Sequence, residues 1–214
     1  MLACLALSIG ALSSGVGAAQ SRSHGRLFPP QDLGLLESPD RDLWQRPDRI
    51  MDALGIADAS VVADVGAGSG WFTIRLARRV GPQGTVYAQD VQPEMLAAIT
   101  RRVQREGLAN VRAVLGRGTD PRLPAGALDA VLLVDAYHEI EDRVTFLSNV
   151  AQAIRPQGRI GVVDFRLEAG GPGPDEEERV GPEVVVRDAE QAGLRLVGAE
   201  TFLPFQYFLI FGKP

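Results

Sequence analysis

The chain is poor in the residues that build metal and redox centres. Cys4 is its one cysteine, which excludes an intrachain disulfide and a cysteine-held zinc cluster. His24 and His138 are its only histidines, so a histidine-based metal site is not expected, and no metal is assigned. Lysine is nearly absent. Lys213 stands alone and every other basic side chain is arginine, a bias of composition that we read as carrying no function. The formal net charge of −5 argues against a general grip on nucleic acid, though a local basic patch is compatible with it. No stable membrane span is expected, since one takes about 20 predominantly apolar residues and the longest such stretch is broken by Ser and Gly. There is no internal repeat, and 214 residues suit one domain with a sizeable core.

What is present begins with an apolar, small-residue segment at positions 1–19, closing on Val16-Gly17-Ala18-Ala19. Its length and ending suit an export signal cleaved near Ala18 or Ala19. No Lys or Arg precedes the apolar run, so a mis-assigned start, with a cytoplasmic protein, is the alternative, as is a short anchor. Residues 20–45, rich in Ser, Pro and polar side chains, read as a linker. The main domain is expected over 46–214, with Pro47 in the first turn of a helix reaching about Leu54.

The chain is organised around Val61-Val62-Ala63-Asp64-Val65-Gly66-Ala67-Gly68-Ser69-Gly70-Trp71-Phe72. An apolar β-branched run predicts a buried strand; alternating glycines and an apolar helical pattern follow. A strand, a glycine turn and a helix N-terminus make a nucleotide-cofactor site, in which unpaired N–H groups can receive an anionic group. The spacing Gly66-x-Gly68-x-Gly70 departs from the dinucleotide pattern G-x-G-x-x-G. Asp64, just before the glycines, repels a pyrophosphate and suits a ligand amino group. S-adenosylmethionine carries an amino group and a carboxylate and no phosphate.

These residues, with Thr85-Val86-Tyr87-Ala88-Gln89-Asp90 and Leu123-Pro124-Ala125-Gly126-Ala127-Leu128-Asp129-Ala130-Val131, resemble class I S-adenosylmethionine-dependent methyltransferases. The nearest flavour is the ubiquinone/menaquinone-type group. The resemblance implies that Asp64, Gly66, Ala67, Gly68 and Gly70 hold the cofactor. It also places the leading helix beside the cofactor cleft, where Trp44 and Gln45 form either a lid or a plain packing contact. Asp90, some twenty residues past the loop, is placed for the ribose hydroxyls or, alternatively, caps the next helix. Val91 is expected against the adenine. The family often places an acid after the third strand for the adenine amino group; here Arg117 stands there, and backbone groups or Asp120 are the substitutes.

Strands are expected at 85–89, 111–115, 127–134, 159–164, 194–203 and 205–211, with helices between the earlier ones. The expected fold is α/β: a Rossmann-like, mostly parallel seven-stranded sheet with helices on both faces and a C-terminal antiparallel hairpin. The apolar run Ala127–Val134 belongs at the sheet centre. At its end, Asp135, Tyr137 and His138 are candidates for the chemistry, since functional groups gather at the C-terminal ends of parallel strands. His138 has the pKa of a general base; otherwise it is structural. Asp135 is the candidate for the methionine end of the cofactor. Methyl transfer from S-adenosylmethionine to a small-molecule or lipid-like acceptor is the expected function. An NAD-dependent oxidoreductase and a non-catalytic cofactor-binding protein are the rivals.

Overall fold

A computed structural model of the protein describes residues 27–167 and 170–214. The export segment and the first part of the linker lie outside the described residues. In chain order the elements are α1 (Arg41–Gln45), α2 (Pro47–Ala53), β1 (Val61–Val65), α3 (Trp71–Val80), β2 (Thr85–Asp90), α4 (Pro93–Arg105) and β3 (Val111–Leu115). There follow β4 (Leu128–Val134), α5 (Arg143–Ala153), β5 (Ile154–Phe165), α6 (Pro182–Gln191), β6 (Arg195–Glu200) and β7 (Gln206–Gly212). Proline opens α2, α4 and α6, where its missing N–H would have had no helical partner.

The seven strands lie in the order β3-β2-β1-β4-β5-β7-β6. β1 to β5 are parallel, and β7 runs antiparallel to both β5 and β6, which gives the C-terminal hairpin. β4 is the central strand, as its apolar run predicts. Alternate side chains serve opposite faces. Val131 and Leu133 pack with α5 and α6, while Ala130, Leu132 and Val134 pack with α2 and α3. Helices therefore cover both faces, and this is why the parallel strands read as continuous apolar runs.

Two boundaries differ from expectation. The fifth strand, expected at 159–164, instead starts at Ile154 directly after α5. Ile154 pairs with fully buried Leu128, Arg155 to Gln157 swing out into solvent, and pairing resumes at Arg159 opposite Ala130. Burial of Ile154 thus overrides the turn signal of Pro156. The leading helix, expected from Pro47, is preceded by α1; the chain bends between the two at Arg46, whose φ is 48°.

Strand order reverses between β1 and β4, so their following segments diverge and leave a crevice at the C-terminal ends of the strands. The cleft described next occupies it.

Candidate active site

The glycine loop leaves β1 with Gly66, Gly68 and Gly70 at φ values of 68°, 53° and 77°, a region that side chains rarely enter. Gly66 has a second reason to be glycine. A Cβ there would lie 2.5 Å from the Ala136 Cβ, in the segment that leaves β4. A Cβ on Gly68 would meet only the Leu36 Cδ1, at 3.2 Å. The loop is pinned from within: Ala67 N–H donates to Gln89 O at 3.0 Å and Gly70 N–H to Ala67 O at 2.8 Å. Gly68 N–H donates to an Asp90 carboxylate oxygen at 3.0 Å. These three N–H groups of the loop are therefore already engaged within the protein.

Asp64, next to the last residue of β1, and Asp90, the last of β2, lie on the wall of one cavity. Thr73 Oγ1 donates to Asp64 at 2.6 Å, and burial is the main reason its carboxyl is raised to about 6. Asp90 also accepts the Gln92 N–H at 3.0 Å, so it shapes the entry to α4 while remaining on the cavity wall. Burial raises its pKa as well. Val91, Gly118 and Thr119 extend the wall beyond it. Arg117 and Asp120 instead close a small turn by exchanging backbone hydrogen bonds, and neither lines the cavity.

Asp135, at a φ of 56°, is drawn into a polar knot that sequence reasoning missed. Arg41 Nη2 and Gln45 Nε2 each donate to its Oδ2 at 3.1 Å, and Gln206 Nε2 donates to Oδ1. Burial raises the Asp135 carboxyl to about 6, against the pull of Arg41. Gln45 is fully buried and bonds to Gln206, while Trp44 packs against Phe165 and Phe205 with ring centroids 6.3 and 6.2 Å away. The Arg41 guanidinium also lies 4.4 Å from the centroid of the Trp71 ring, whose other neighbour is Arg75 at 3.5 Å.

Of the adjacent pair Tyr137 and His138, only His138 reaches the cavity. A short 3-10 turn, Tyr137–Glu139, sends Tyr137 into the core, where its hydroxyl donates to Asp188 at 3.1 Å. His138 Nδ1 sits 3.0 and 3.1 Å from the two oxygens of Asp164, a fully buried acid near the end of β5. Facing a carboxylate, Nδ1 carries the proton, which leaves Nε2 as the free nitrogen. Burial alone would lower the His138 pKa; the hydrogen bond and charge of Asp164, with Glu139 and Asp135, outweigh it and raise the value to about 8.

Residues 27–40 bridge the cavity mouth as a strap. Phe28 N–H donates to Glu139 at 3.2 Å, Gln92 Nε2 to Phe28 O at 3.0 Å, and Glu37 pairs with Arg102. Opposite, Gly171 and Gly173 press against the rings of Phe205 and Phe165. The cavity measures about 1040 Å³, at the upper end for a small-molecule site.

The chemistry of this wall tests the cofactor. Around the loop stand Asp64, Asp90 and Asp135, with Arg41 as the only Arg or Lys on the wall among the described residues. Such a set suits an ammonium and ribose hydroxyls and is unsuited to a pyrophosphate. The Ser69 hydroxyl, in the same loop and 5% exposed, has no hydrogen-bond partner among the described residues. An orphaned buried hydroxyl on a cavity wall marks a place for a ligand atom. The residues fit S-adenosylmethionine.

Fold and site together define a class I S-adenosylmethionine-dependent methyltransferase domain, with a Rossmann-like sheet. Comparison with known proteins agrees: residues 62–158 match the methyltransferase domain family. Nocamycin O-methyltransferase of Saccharothrix syringae is 34% identical over 114 residues, 53% of this chain and 41% of that enzyme. A demethylmenaquinone methyltransferase of Geobacillus sp. (strain WCH70) is 28% identical over 110 residues, 51% of this chain and 47% of that enzyme. The chain thus spans less than half the length of each of these two curated relatives. A solved S-adenosylmethionine-dependent methyltransferase from Aquifex aeolicus superposes with a TM-score of 0.82 at 27% identity, over 86% of this chain and 98% of that one.

Proposed function

We propose that the protein transfers the methyl group of S-adenosylmethionine to a small-molecule or lipid-like acceptor whose proton passes to His138. The observation that carries this reading is His138, on the wall shared with the glycine loop and held from behind by the buried carboxylate of Asp164. When bound, the cofactor supplies a methyl already activated by its sulfonium. This chain's residues do the rest. Asp64 and Asp90 hold the ammonium and the ribose. Asp164 fixes the imidazole so that Nε2 can accept a proton from the acceptor. Trp44, Phe146, Phe165 and Phe205 give the acceptor side an apolar lining, and the strap and the 170–174 segment keep water out. Two relatives whose names specify an O-methyltransferase and a demethylmenaquinone methyltransferase support a small or lipid-like acceptor.

A second reading is cofactor binding in the service of other chemistry. The cyclase SpnF shares the fold with a TM-score of 0.70 at 14% identity, over 91% of this chain and 87% of that one, a likeness of fold alone. A screen with methyl-labelled S-adenosylmethionine separates the two: label in an acceptor supports transfer, and tight cofactor binding with no labelled product from any acceptor class removes it. Calorimetry with NAD tests the oxidoreductase rival.

Two expected outcomes follow on the cofactor side. Asp90→Ala should weaken S-adenosylhomocysteine binding about 10–100-fold by calorimetry, since a hydrogen bond to a charged group is worth ~1.5–3 kcal/mol. Unchanged affinity removes Asp90 from the ribose. For Asp64, the folded pKa of about 6 exceeds the ordinary 3.8, so the folded protein binds the extra proton between these values. Its contribution to stability is present below the lower value and lost as pH rises through the higher one. Asp64→Asn should therefore stabilise the ligand-free protein at pH 7, by at most ~3 kcal/mol in urea unfolding, while weakening cofactor binding. A variant that binds as wild type would place the ammonium elsewhere.

A further inference from the structure

We propose that the acceptor is a cationic amine, an alkyl or aryl-alkyl ammonium, and that its nitrogen is the atom methylated. The proposal rests on the methyl-transfer reading above and narrows its acceptor.

The first support is charge. The cavity wall carries eight carboxyl groups against the one guanidinium of Arg41, which is itself paired with Asp135. Asp64, Asp90 and Asp135 stand around the glycine loop. The other five are Asp40, Glu139, Glu141, Asp142 and Glu178, and all but Glu139 are exposed. S-adenosylmethionine brings a single net positive charge, so the cavity stays negative with the cofactor in place. Local structure accounts for part of this set: Asp142 caps α5 by accepting the Thr145 N–H at 3.2 Å, and Asp40 accepts from Ser38. Glu141 and Glu178 have no hydrogen-bond or ion-pair partner among the described residues, and Phe28 N–H occupies only one oxygen of Glu139. A cleft lined by one sign of charge concentrates ligands of the other and repels a carboxylate or phosphate. The two titratable groups nearest the chemistry respond to the same field. Burial, and then Asp90 and Asp164, raise Glu139 to about 7, and His138 is raised against the effect of its burial by Asp164, Glu139 and Asp135.

The second support is what shares the wall with these acids. Trp44, Phe165 and Phe205 line the cavity, with Phe165 tilted 45° and Phe205 68° to the Trp44 ring, so the three form no flat stack. Aromatic faces attract an ammonium, and the carbon chain that carries it packs on the same rings. That the cavity receives ligand has separate support in the buried Ser69 hydroxyl, which lines it without a hydrogen-bond partner among the described residues. The base is also there. An ammonium has no lone pair to offer until it loses a proton, and His138 Nε2 accepts that proton. The freed pair on nitrogen then forms the new C–N bond to the methyl as the C–S bond breaks, and the electrons of the C–S bond stay on sulfur. What leaves is the methylated ammonium and S-adenosylhomocysteine, and His138 passes its proton to water. An anionic acceptor would need no base and would meet the acids as like charges.

Two matched sets of probes test this: octylamine, octanol and octanoate, and 2-phenylethylamine, 2-phenylethanol and phenylacetate. Each is titrated calorimetrically at pH 7 into the full chain saturated with S-adenosylhomocysteine. In at least one set the amine should bind about tenfold or more tightly than the alcohol, with the carboxylate weakest. The preference should shrink in about 0.5 M salt, where charges at the exposed mouth are screened. In the double variant Glu139→Gln/Glu178→Gln it should fall to about threefold or less, with S-adenosylhomocysteine affinity changed less than about threefold. A glutamine amide still accepts the Phe28 N–H, so the strap keeps that anchor. With methyl-labelled S-adenosylmethionine, the label should appear on the amine nitrogen. An alcohol or carboxylate bound as tightly as the amine in both sets overturns the proposal, as does a preference that survives the double variant, or no binding by either amine. Label in an alcohol and none in its amine overturns it while leaving methyl transfer standing. Wild type that binds no S-adenosylhomocysteine would instead defeat the cofactor reading.

Discussion

Removing the His138 imidazole is expected to lower turnover about 10²–10⁴-fold while leaving S-adenosylhomocysteine affinity nearly intact. His138→Ala takes away the proposed base, the one histidine among the described residues, which buried Asp164 holds in orientation. The pH profile supplies the second half of the test. With a pKa near 8, His138 is protonated at neutral pH, so the wild-type rate should rise with pH and level off above that value. Asp164→Asn removes the partner that raises the pKa. Its profile should shift to lower pH, with a reduced plateau because the ring loses its fixed tautomer. An acceptor that needs no proton removed would show a flat profile and a His138→Ala variant of wild-type rate. Either outcome returns His138 to a structural role.

The largest stability effect is expected at Gly66. A methyl group added there meets the Ala136 Cβ at 2.5 Å, and both atoms belong to backbone-anchored positions that cannot rotate away. Overpacking costs about 1–3 kcal/mol, and the left-handed backbone adds roughly 1–2 for any residue with a Cβ. Gly66→Ala should therefore lose about 2–5 kcal/mol in urea unfolding. Gly68→Ala shares the left-handed backbone but meets only the end of the flexible Leu36 side chain. It should lose no more than about 1–2 kcal/mol. Equal losses at the two positions would show that backbone strain, and not the approach of Ala136, governs the loop.

The fold was legible wherever neighbouring residues carry the signal. The run Val61–Gly70, the spacing to Asp90 and the apolar stretch that became β4 are local patterns, and each fell where expected. His138 was legible as a rare titratable residue at a strand end. What stayed hidden was built from residues far apart in the chain. Gln45 and Gln206 are 161 positions apart and bond to each other and to Asp135. In sequence, Gln206 looks like an ordinary strand-end glutamine, and Gln45 stood out only as a lid or packing residue with no polar partner. Arg41 stands in a polar run whose composition suggests a solvated linker, and Asp164 reads as the end of an apolar strand. Tyr137 illustrates the converse. Its place beside His138 implied a shared site, but a 3-10 turn gives successive side chains different directions.

The indoles of this protein have a consequence for observing it. The chain has two tryptophans, and both lie on the wall of the cavity, Trp71 beside Arg41 and Trp44 against Phe165 and Phe205. Tryptophan fluorescence should thus come from within the cleft, without any label. On the proposed assignment of the two ends of the cavity, Trp71→Phe should leave an emission that reports acceptor arrival and Trp44→Phe one that reports cofactor arrival. The order in which the two ligands enter can then be followed in the stopped-flow instrument as two separate optical traces.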